Sequence, residues 1–315
     1  MSFLVEMDRD RYPADALGSF AADKFDPSSG AAILGAGRAM MWLSQLAYET
    51  ANPQKISGPG GILPAWGLAQ RVLIDNPPDT ALPLKTACAV VAGGRGATIV
   101  AFAGTDPLKI NDWITDFDAF PSTAGIQTGF ANAVDRIWPR LRAAIANPPA
   151  AERAVFFTGH SLGGALAIVA AERAMRELGV KATAVLTFGS PRPGDAQFAS
   201  AYSPALGNAT YRFVHGTDLV PTVGPSFVGF RHVGNFIHCA SGGRFDAATP
   251  MLPHGNDMPE FFDSGFKSVV VVVRRAFDGQ LLAPLGSGAL GTFLGLLPQQ
   301  IRDHVPPSYF GALAA

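Results

Sequence analysis

One stretch, Ala154-Val155-Phe156-Phe157-Thr158-Gly159-His160-Ser161-Leu162-Gly163-Gly164, constrains this chain's fold more than any other. An apolar, β-prone run ends in Gly-x-Ser-x-Gly, and a helix-like run from Leu162 to Leu178 follows, stopped by Gly179. A strand that turns sharply into a helix around a serine holds that serine in a strained backbone and lifts its hydroxyl clear of its neighbours. Gly159 and Gly163 flank Ser161 because a side chain at either site would collide with the facing strand or helix. The helix also brings unpaired N-terminal N–H groups beside the hydroxyl, where negative charge develops during acyl transfer. Ser161 is therefore the expected nucleophile.

The rest of the chain reads as an alternation that suits such a turn. Residues 1–30 are polar, with Pro13 and Pro27, and are expected to wrap the surface. Ala31 to Thr50 has helical spacing, with Ile33, Met40, Met41, Leu43, Leu46 and Ala47 on one side. Strands are expected over Gln70–Asp75, Leu84–Ala92 and Ala97–Ala103, the last two joined at Gly93-Gly94-Arg95-Gly96. Lys109 to Phe120 and Gly129 to Ala146 have helical spacing. The strands Ala182–Phe188 and Thr210–His215 follow the serine, with a short helix between them around Phe198. Phe227 to Ala240 reads as a hairpin, and Val269–Val273 as a strand. Strand alternating with helix implies a largely parallel sheet with helices on both faces, in one α/β domain over residues 1–315.

Composition narrows the function. A 315-residue chain, 48% hydrophobic, 16% charged and of net charge −1, gives no electrostatic case for a nucleic-acid partner. Its size allows a well-buried core. Cys88 and Cys239 fall in strand-like runs and read as buried thiols rather than a disulfide. Two such distant cysteines build no metal cluster, and the spacing of Asp and His supports none. Residues Met1 to Asp10 show no basic start followed by a long apolar run, so no cleavable secretory signal is visible and a cytoplasmic location is the default expectation. Leu281 to Leu297 contains Pro284, four glycines and two hydroxyl residues. It falls short of the ~20 apolar residues that span a bilayer, and no transmembrane helix is expected.

A serine alkoxide is inaccessible near neutral pH without an imidazole base, itself oriented by a carboxylate. After a strand–Ser–helix turn the partners follow in the order acid, then histidine. Asp218, in the loop that follows Tyr211-Arg212-Phe213-Val214-His215, sits at the carboxyl end of a strand and is the first choice; Asp195 is the second. The histidines beyond it are His232 and His238, inside the hairpin pattern, and His254 and His304. His304 leads by order and placement, with His254 next. His160 and His215 precede the acid and read as structural.

These residues resemble the class 3, or filamentous-fungal-type, triacylglycerol lipases over roughly residues 32 to 312. The motifs that match, in order, are Met41 to Tyr48, Ala101 to Thr105, Asn111 to Asp116, Thr158 to Gly164, Thr187 to Arg192, Gly216 to Pro221, and Asp303-His304 with Tyr309. The resemblance implies an α/β-hydrolase fold with a mostly parallel central sheet and a helical lid over residues 106–123. It implies Ser161 as nucleophile, Asp218 as orienting acid and His304 as base. An oxyanion hole would come from the Leu162 N–H and from Thr105, with Asp116 holding the Thr105 hydroxyl. The apolar face of the lid would carry Ile110, Trp113, Ile114 and Phe117, covering the site in water and burying itself at a lipid surface. The plainer reading of that segment is an ordinary surface helix. Two departures stand out: Ala103 where the family carries Arg, and Gln127 where a His is common. The family's disulfides are not reproduced, which fits a bacterial relative.

The function expected from all this is a serine carboxylic ester hydrolase, most concretely a triacylglycerol lipase working through an acyl-enzyme. A phospholipase A1 or an esterase for short or aromatic esters is the alternative within hydrolases. From another class, the alternative is a catalytically inactive lipid-binding protein. No cofactor is implied, and the expected partner is a lipid or other ester substrate, with transient binding to a lipid interface.

Overall fold

The computed structural model describes residues 12–75, 87–104, 124–224, 226, 229–253 and 299–314. The expected lid helix, the Val269–Val273 strand and the Leu281–Leu297 stretch lie outside these residues, as do Thr105, His254 and the first part of the Leu84–Ala92 strand.

Ten strands and eight α-helices are described, in the order α1 (Gly30–Leu46), α2 (Pro53–Ser57), α3 (Ile62–Ala65), β1 (Ala69–Ile74), β2 (Ala89–Gly94), β3 (Ala97–Phe102), α4 (Thr128–Ile145), β4 (Ala154–His160), α5 (Leu162–Leu178) and β5 (Ala184–Phe188). Then come β6 (Gly194–Asp195), α6 (Ala196–Leu206), β7 (Thr210–His215), β8 (Phe230–Arg231), β9 (Asn235–Cys239), β10 (Met251–Leu252), α7 (Gln299–His304) and α8 (Pro306–Leu313). Eight strands form one sheet in the order β1-β2-β3-β4-β5-β7-β9-β10. Its middle, β3-β4-β5-β7-β9, is parallel; the β1, β2 and β10 pairings at the two edges are antiparallel. The largely parallel sheet expected from the alternation is present.

Both faces of the sheet are covered, and strand side chains alternate between them. Val155 and Phe157 of β4 join a core built with α4, α5 and α6. Phe156, between them, joins a second core built with α1, α3 and α8. This period of two explains why the central strands read as continuous apolar runs: neither face meets water. Ser29 caps α1 by accepting the Ala32 N–H, but the α-helix stops at Leu46, short of the expected Thr50, and tightens into a 3-10 turn over Ala47–Glu49. Gly179, at φ +66°, closes α5 in the left-handed conformation as expected.

The hairpin between β2 and β3 turns on Arg95 and Gly96, both at positive φ (52° and 79°), which suits the right-handed twist of its strands. An arginine at such a backbone position is uncommon, and its side chain is tied to three backbone carbonyls. The guanidinium donates to the carbonyls of Trp66, Gly18 and Phe20.

Those bonds help correct the reading of the N-terminal segment as a surface wrap. From residue 12 onward it buries Tyr12, Leu17 and Phe20 in the second core. Phe20 and Phe25 both set ring edges against Phe156, at 5.3 and 5.4 Å between centroids. A second correction concerns the expected Phe227–Ala240 hairpin. β8 pairs with β6, whereas β9 lies parallel to β7 in the main sheet. The chain turns between them at Gly234, and the Asn235 amide then donates to the Thr210 carbonyl at 3.0 Å, fixing β9 on β7. Cys239 is buried as expected, but Cys88 is half-buried, with its thiol 3.9 Å from Asp75 Oδ1. Among the described residues, no helix is long and apolar enough to cross a membrane.

Phe156→Ala removes the ring on which both N-terminal phenylalanines rest. A loss of about 3–5 kcal/mol in unfolding free energy is expected from urea titration; a loss below about 1 kcal/mol would show that the segment is not part of the core.

Candidate active site

Ser161 stands between β4 and α5 with φ +58° and ψ −133°. Among the described residues, only Arg95 shares a positive φ without being glycine. Its N–H donates to the Phe188 carbonyl at 2.9 Å, and its carbonyl accepts from Gly164 N–H at 2.9 Å. The close approach of strand and helix is what Gly159 and Gly163 permit. A Cβ on Gly159 would strike the Gly163 carbonyl, and one on Gly163 would strike the backbone of Phe102 and Ala103. Ala103, where the family carries Arg, therefore lies directly beside the turn. Leu162 opens α5, so its N–H has no intrahelical acceptor.

Two elements from distant parts of the chain bring the candidate partners. Asp218 follows β7, and His304 ends α7. His304 Nδ1 lies 2.9 Å from each Asp218 carboxylate oxygen. A carboxylate only accepts, so Nδ1 is the donor in this contact, and Nε2 points away from it. The Asp218 oxygens are otherwise occupied: Val220 N–H donates to Oδ1 at 2.9 Å, and the Tyr309 hydroxyl to Oδ2 at 2.6 Å. Burial, reinforced by the Asp218 charge, pushes the Tyr309 phenol well above its ordinary range and keeps it a donor.

His304 Nε2 and Ser161 Oγ are both buried and both without a hydrogen-bond partner among the described residues. Buried polar atoms are usually paired, and an unpaired one calls for a functional account. The residue before Ser161 contacts His304. The ring of His160 lies 4.7 Å from that of His304, and its Nε2 donates to the His304 carbonyl at 2.8 Å. Burial, and after it the nearness of His304, hold His160 well below its ordinary pKa, so it is neutral. With Nε2 protonated, Nδ1 accepts from the Tyr48 hydroxyl at 3.2 Å. Helix α1 matches β4 here: Ser44 meets Thr158 at 2.9 Å and Tyr48 meets His160. Four helical residues rise about 6 Å and two strand residues about 6.6 Å, so both pairs fit at once.

The C-terminal helix is anchored from the same side. Phe310 stacks on Trp42 at 4.0 Å, and Arg38 donates to the Leu313 carbonyl at 2.7 Å.

The remaining candidates fall elsewhere. Asp195, the second choice for the acid, caps α6 by accepting the Phe198 N–H. His232 donates to the Pro221 carbonyl and His238 to that of Gly216, each at 2.8 Å. His254, Thr105, Asp116 and the lid residues Ile110, Trp113, Ile114 and Phe117 lie outside the described residues. Gln127 caps α4 through its side-chain oxygen, which accepts the Phe130 N–H at 2.8 Å. Tyr309 was visible in the sequence only as part of a motif, and His160 only as a structural residue. No three His, Cys, Asp or Glu side chains converge as a metal set among the described residues.

Gly189 makes the Asp218–His304 approach possible. At φ +58°, a Cβ there would strike Asp218 Oδ2 and lie 2.9 Å from both His304 Nδ1 and the Tyr309 oxygen. Displacements of about 1 Å in such a site cost on the order of 10²-fold. Gly189→Ala is expected to slow phosphonylation of Ser161 by an organophosphonate about 10²-fold with the far-UV circular dichroism retained. An unchanged rate would remove Gly189 from the site's support.

Residues 99–227 match the family described as Lipase (class 3). The chain is 36% identical over 146 residues to secreted mono- and diacylglycerol lipase 1 of Fusarium solani, a match covering 44% of this chain and 42% of that protein. It is 32% identical over 159 residues to a lipase of Rhizomucor miehei, covering 46% and 43%. The chain thus spans less than half the length of these curated relatives. Among solved structures, lipase II from Rhizopus niveus superposes with a TM-score of 0.56 at 19% identity, over 70% of this chain and 86% of that one. The mono- and diacylglycerol lipase from Aspergillus oryzae gives 0.55 at 22% identity, over the same shares. These likenesses identify the α/β-hydrolase fold. One expectation is overturned: the default cytoplasmic location does not stand beside relatives from Fusarium solani, Malassezia restricta and Malassezia globosa that are all named as secreted. A leader-like pattern sought in ten residues was too narrow a basis for that default. The likeness to the class 3 lipase family is carried by residues 99–227.

Proposed function

We propose that this protein is a serine carboxylic ester hydrolase acting on acylglycerols, with Ser161, His304 and Asp218 as its triad. The observation that carries the reading is the contact of His304 Nδ1 with both Asp218 carboxylate oxygens. Nε2 is left buried and unpartnered, as is Ser161 Oγ. In the reaction, Oγ attacks the ester carbonyl carbon as its proton passes to Nε2. The imidazolium, stabilised by Asp218, gives that proton to the departing alkoxide as the C–O bond breaks. Water then attacks the acyl-enzyme by the same route, releasing the fatty acid and restoring Ser161.

The Leu162 N–H, at the start of α5, is the oxyanion donor in this reading. Thr105 as the second donor, Asp116 as its support and the 106–123 segment as lid rest on the family resemblance. So does the apolar lid face of Ile110, Trp113, Ile114 and Phe117. Triacylglycerols are the substrates proposed first. The names of the Fusarium and Aspergillus relatives favour mono- and diacylglycerols as a second reading, and the relatives named as secreted support action outside the cell that makes the protein.

Hydrolysis of triacylglycerols from tributyrin to triolein, across their solubility limits, tests this, with diolein, monoolein and phosphatidylcholine alongside. Turnover of long-chain triacylglycerols that rises once an interface forms is the expected result. Ser161→Ala is expected to reduce it on the order of 10⁴–10⁶-fold. Activity limited to partial glycerides would select the second reading, and phosphatidylcholine cleavage or activity only on dissolved short esters would replace both. Ester turnover that survives Ser161→Ala would overturn the triad.

A further inference from the structure

A second carboxylate stands directly beside the His304–Asp218 pair without touching it. Asp303 is 2% exposed and forms a hub of hydrogen bonds. Its Oδ2 accepts from the Thr217 N–H at 2.7 Å, the Thr217 hydroxyl at 3.0 Å and the Ser241 hydroxyl at 2.6 Å. Its Oδ1 accepts from the Gln299 amide at 2.6 Å and lies 3.6 Å from His215 Nδ1. These donors come from three places: the loop that carries Asp218, the turn after β9, and the first turn of α7. Gly216 leaves the room, since a Cβ there would strike Asp303 Oδ2 and Ser241 Oγ.

The consequence is geometric. Asp303 and His304 are consecutive, and so are Thr217 and Asp218. The two dipeptides therefore meet twice, once through Asp303 and Thr217 and once through His304 and Asp218. Two contacts between the same pair of segments fix an angle that one contact leaves free. We propose that Asp303 is a positioning residue: its carboxylate fastens the helix bearing His304 to the loop bearing Asp218, and so holds the imidazole Nδ1 against both Asp218 oxygens. The role in turnover rests on the triad proposed above; the effect on the Asp218–His304 contact does not.

The charge is retained in the fold. Burial acts to raise the Asp303 pKa, but hydrogen bonds from Ser241, from Thr217 and from Gln299 outweigh it and leave the carboxyl below its ordinary range. As an anion it accepts at every contact, which a neutral amide does not do: an asparagine has one accepting oxygen where Asp303 uses two. Asp303→Asn therefore keeps the shape and part of the network, Asp303→Ala neither. Ser241→Ala removes a single donor from an exposed turn residue, and remains informative should Asp303→Ala not fold.

The test reads two signals from the full chain. One is the His304 Nδ1 proton in ¹⁵N-histidine-labelled protein by NMR, identified by its absence in His304→Gln. The other is kcat and KM on a soluble ester, with organophosphonate labelling of Ser161 measured in the unaltered protein. The expected result is that Asp303→Ala broadens or abolishes the Nδ1 proton signal and lowers kcat about 10–100-fold with KM unchanged. Asp303→Asn is expected between it and the parent, and Ser241→Ala to lower kcat about 2–5-fold with the signal shifted. A merely structural residue would lower the melting temperature and leave both the signal and kcat of the folded protein as they were. That outcome in Asp303→Ala, or in both Asp303→Asn and Ser241→Ala, overturns the proposal. Loss of the Nδ1 signal in a protein whose Ser161 is never labelled would overturn the triad while supporting the positioning role.

Discussion

The backbone of Ser161 is the constraint on which the rest of the molecule converges, because a non-glycine residue at φ +58° and ψ −133° is sustained only if everything around it is already in place. Such a conformation costs about 1–3 kcal/mol. It is held here by the Phe188 carbonyl on the Ser161 N–H, by the contact of Gly159 with Gly163, and by two apolar layers. The layers meet on β4 itself, where Val155 and Phe157 face one core and Phe156 the other. The strand cannot slip without exchanging the two sets of side chains. A rigid sheet therefore sets the position of the serine, and the helix that follows supplies its N–H groups without any further rearrangement.

His304 arrives from the opposite end of the chain, and its placement is a matter of buried polar contacts more than of apolar packing. The Asp218 carboxylate receives Val220, Tyr309 and His304; the His304 carbonyl receives His160; and His160 receives Tyr48. Each member is satisfied by another, which is the condition under which a buried polar network specifies one arrangement. The atoms left over, Ser161 Oγ and His304 Nε2, are the ones the proposed chemistry uses. Helix α8 stacks Phe310 on Trp42 of α1, so the element that reads β4 from above also receives the C-terminal segment.

What was legible in the sequence was what is encoded locally. The strand-Ser161-helix turn, the stop at Gly179 and the alternation of strands with amphipathic helices each occupy a short window and follow from period and punctuation. Asp218 was legible because the carboxyl end of a strand is a place, and sequence order gives places. His304 was harder, since His254 satisfied the same ordering rule; placement put His304 first, and the motif Asp303-His304 with Tyr309 strengthened that choice. The work of Asp303, Tyr309 and His160 was not legible locally: their contacts with Thr217, Asp218 and His304 span 86, 91 and 144 residues. The misread hairpin shows the same limit. Phe230 to Cys239 has the alternation of two strands, but the partners of β8 and β9 are β6 and β7, earlier in the chain, and nothing between residues 230 and 239 names them. The N-terminal segment was misjudged by its polar average, although Tyr12, Leu17 and Phe20 suffice to seat it on the second core.

The central claim is that Ser161, His304 and Asp218 act as one unit, and non-additivity measures this most directly. Ester turnover would be compared for the parent, Asp218→Asn, His304→Gln and the double variant, with Ser161→Ala as the floor. Residues that act together lose nearly everything with the first removal. The account predicts that His304→Gln and the double variant fall to the same rate within about threefold, both on the order of 10⁴-fold or more below the parent. Losses that multiply, so that the double variant falls well below His304→Gln, would contradict it, because Asp218 would then be contributing through something other than His304.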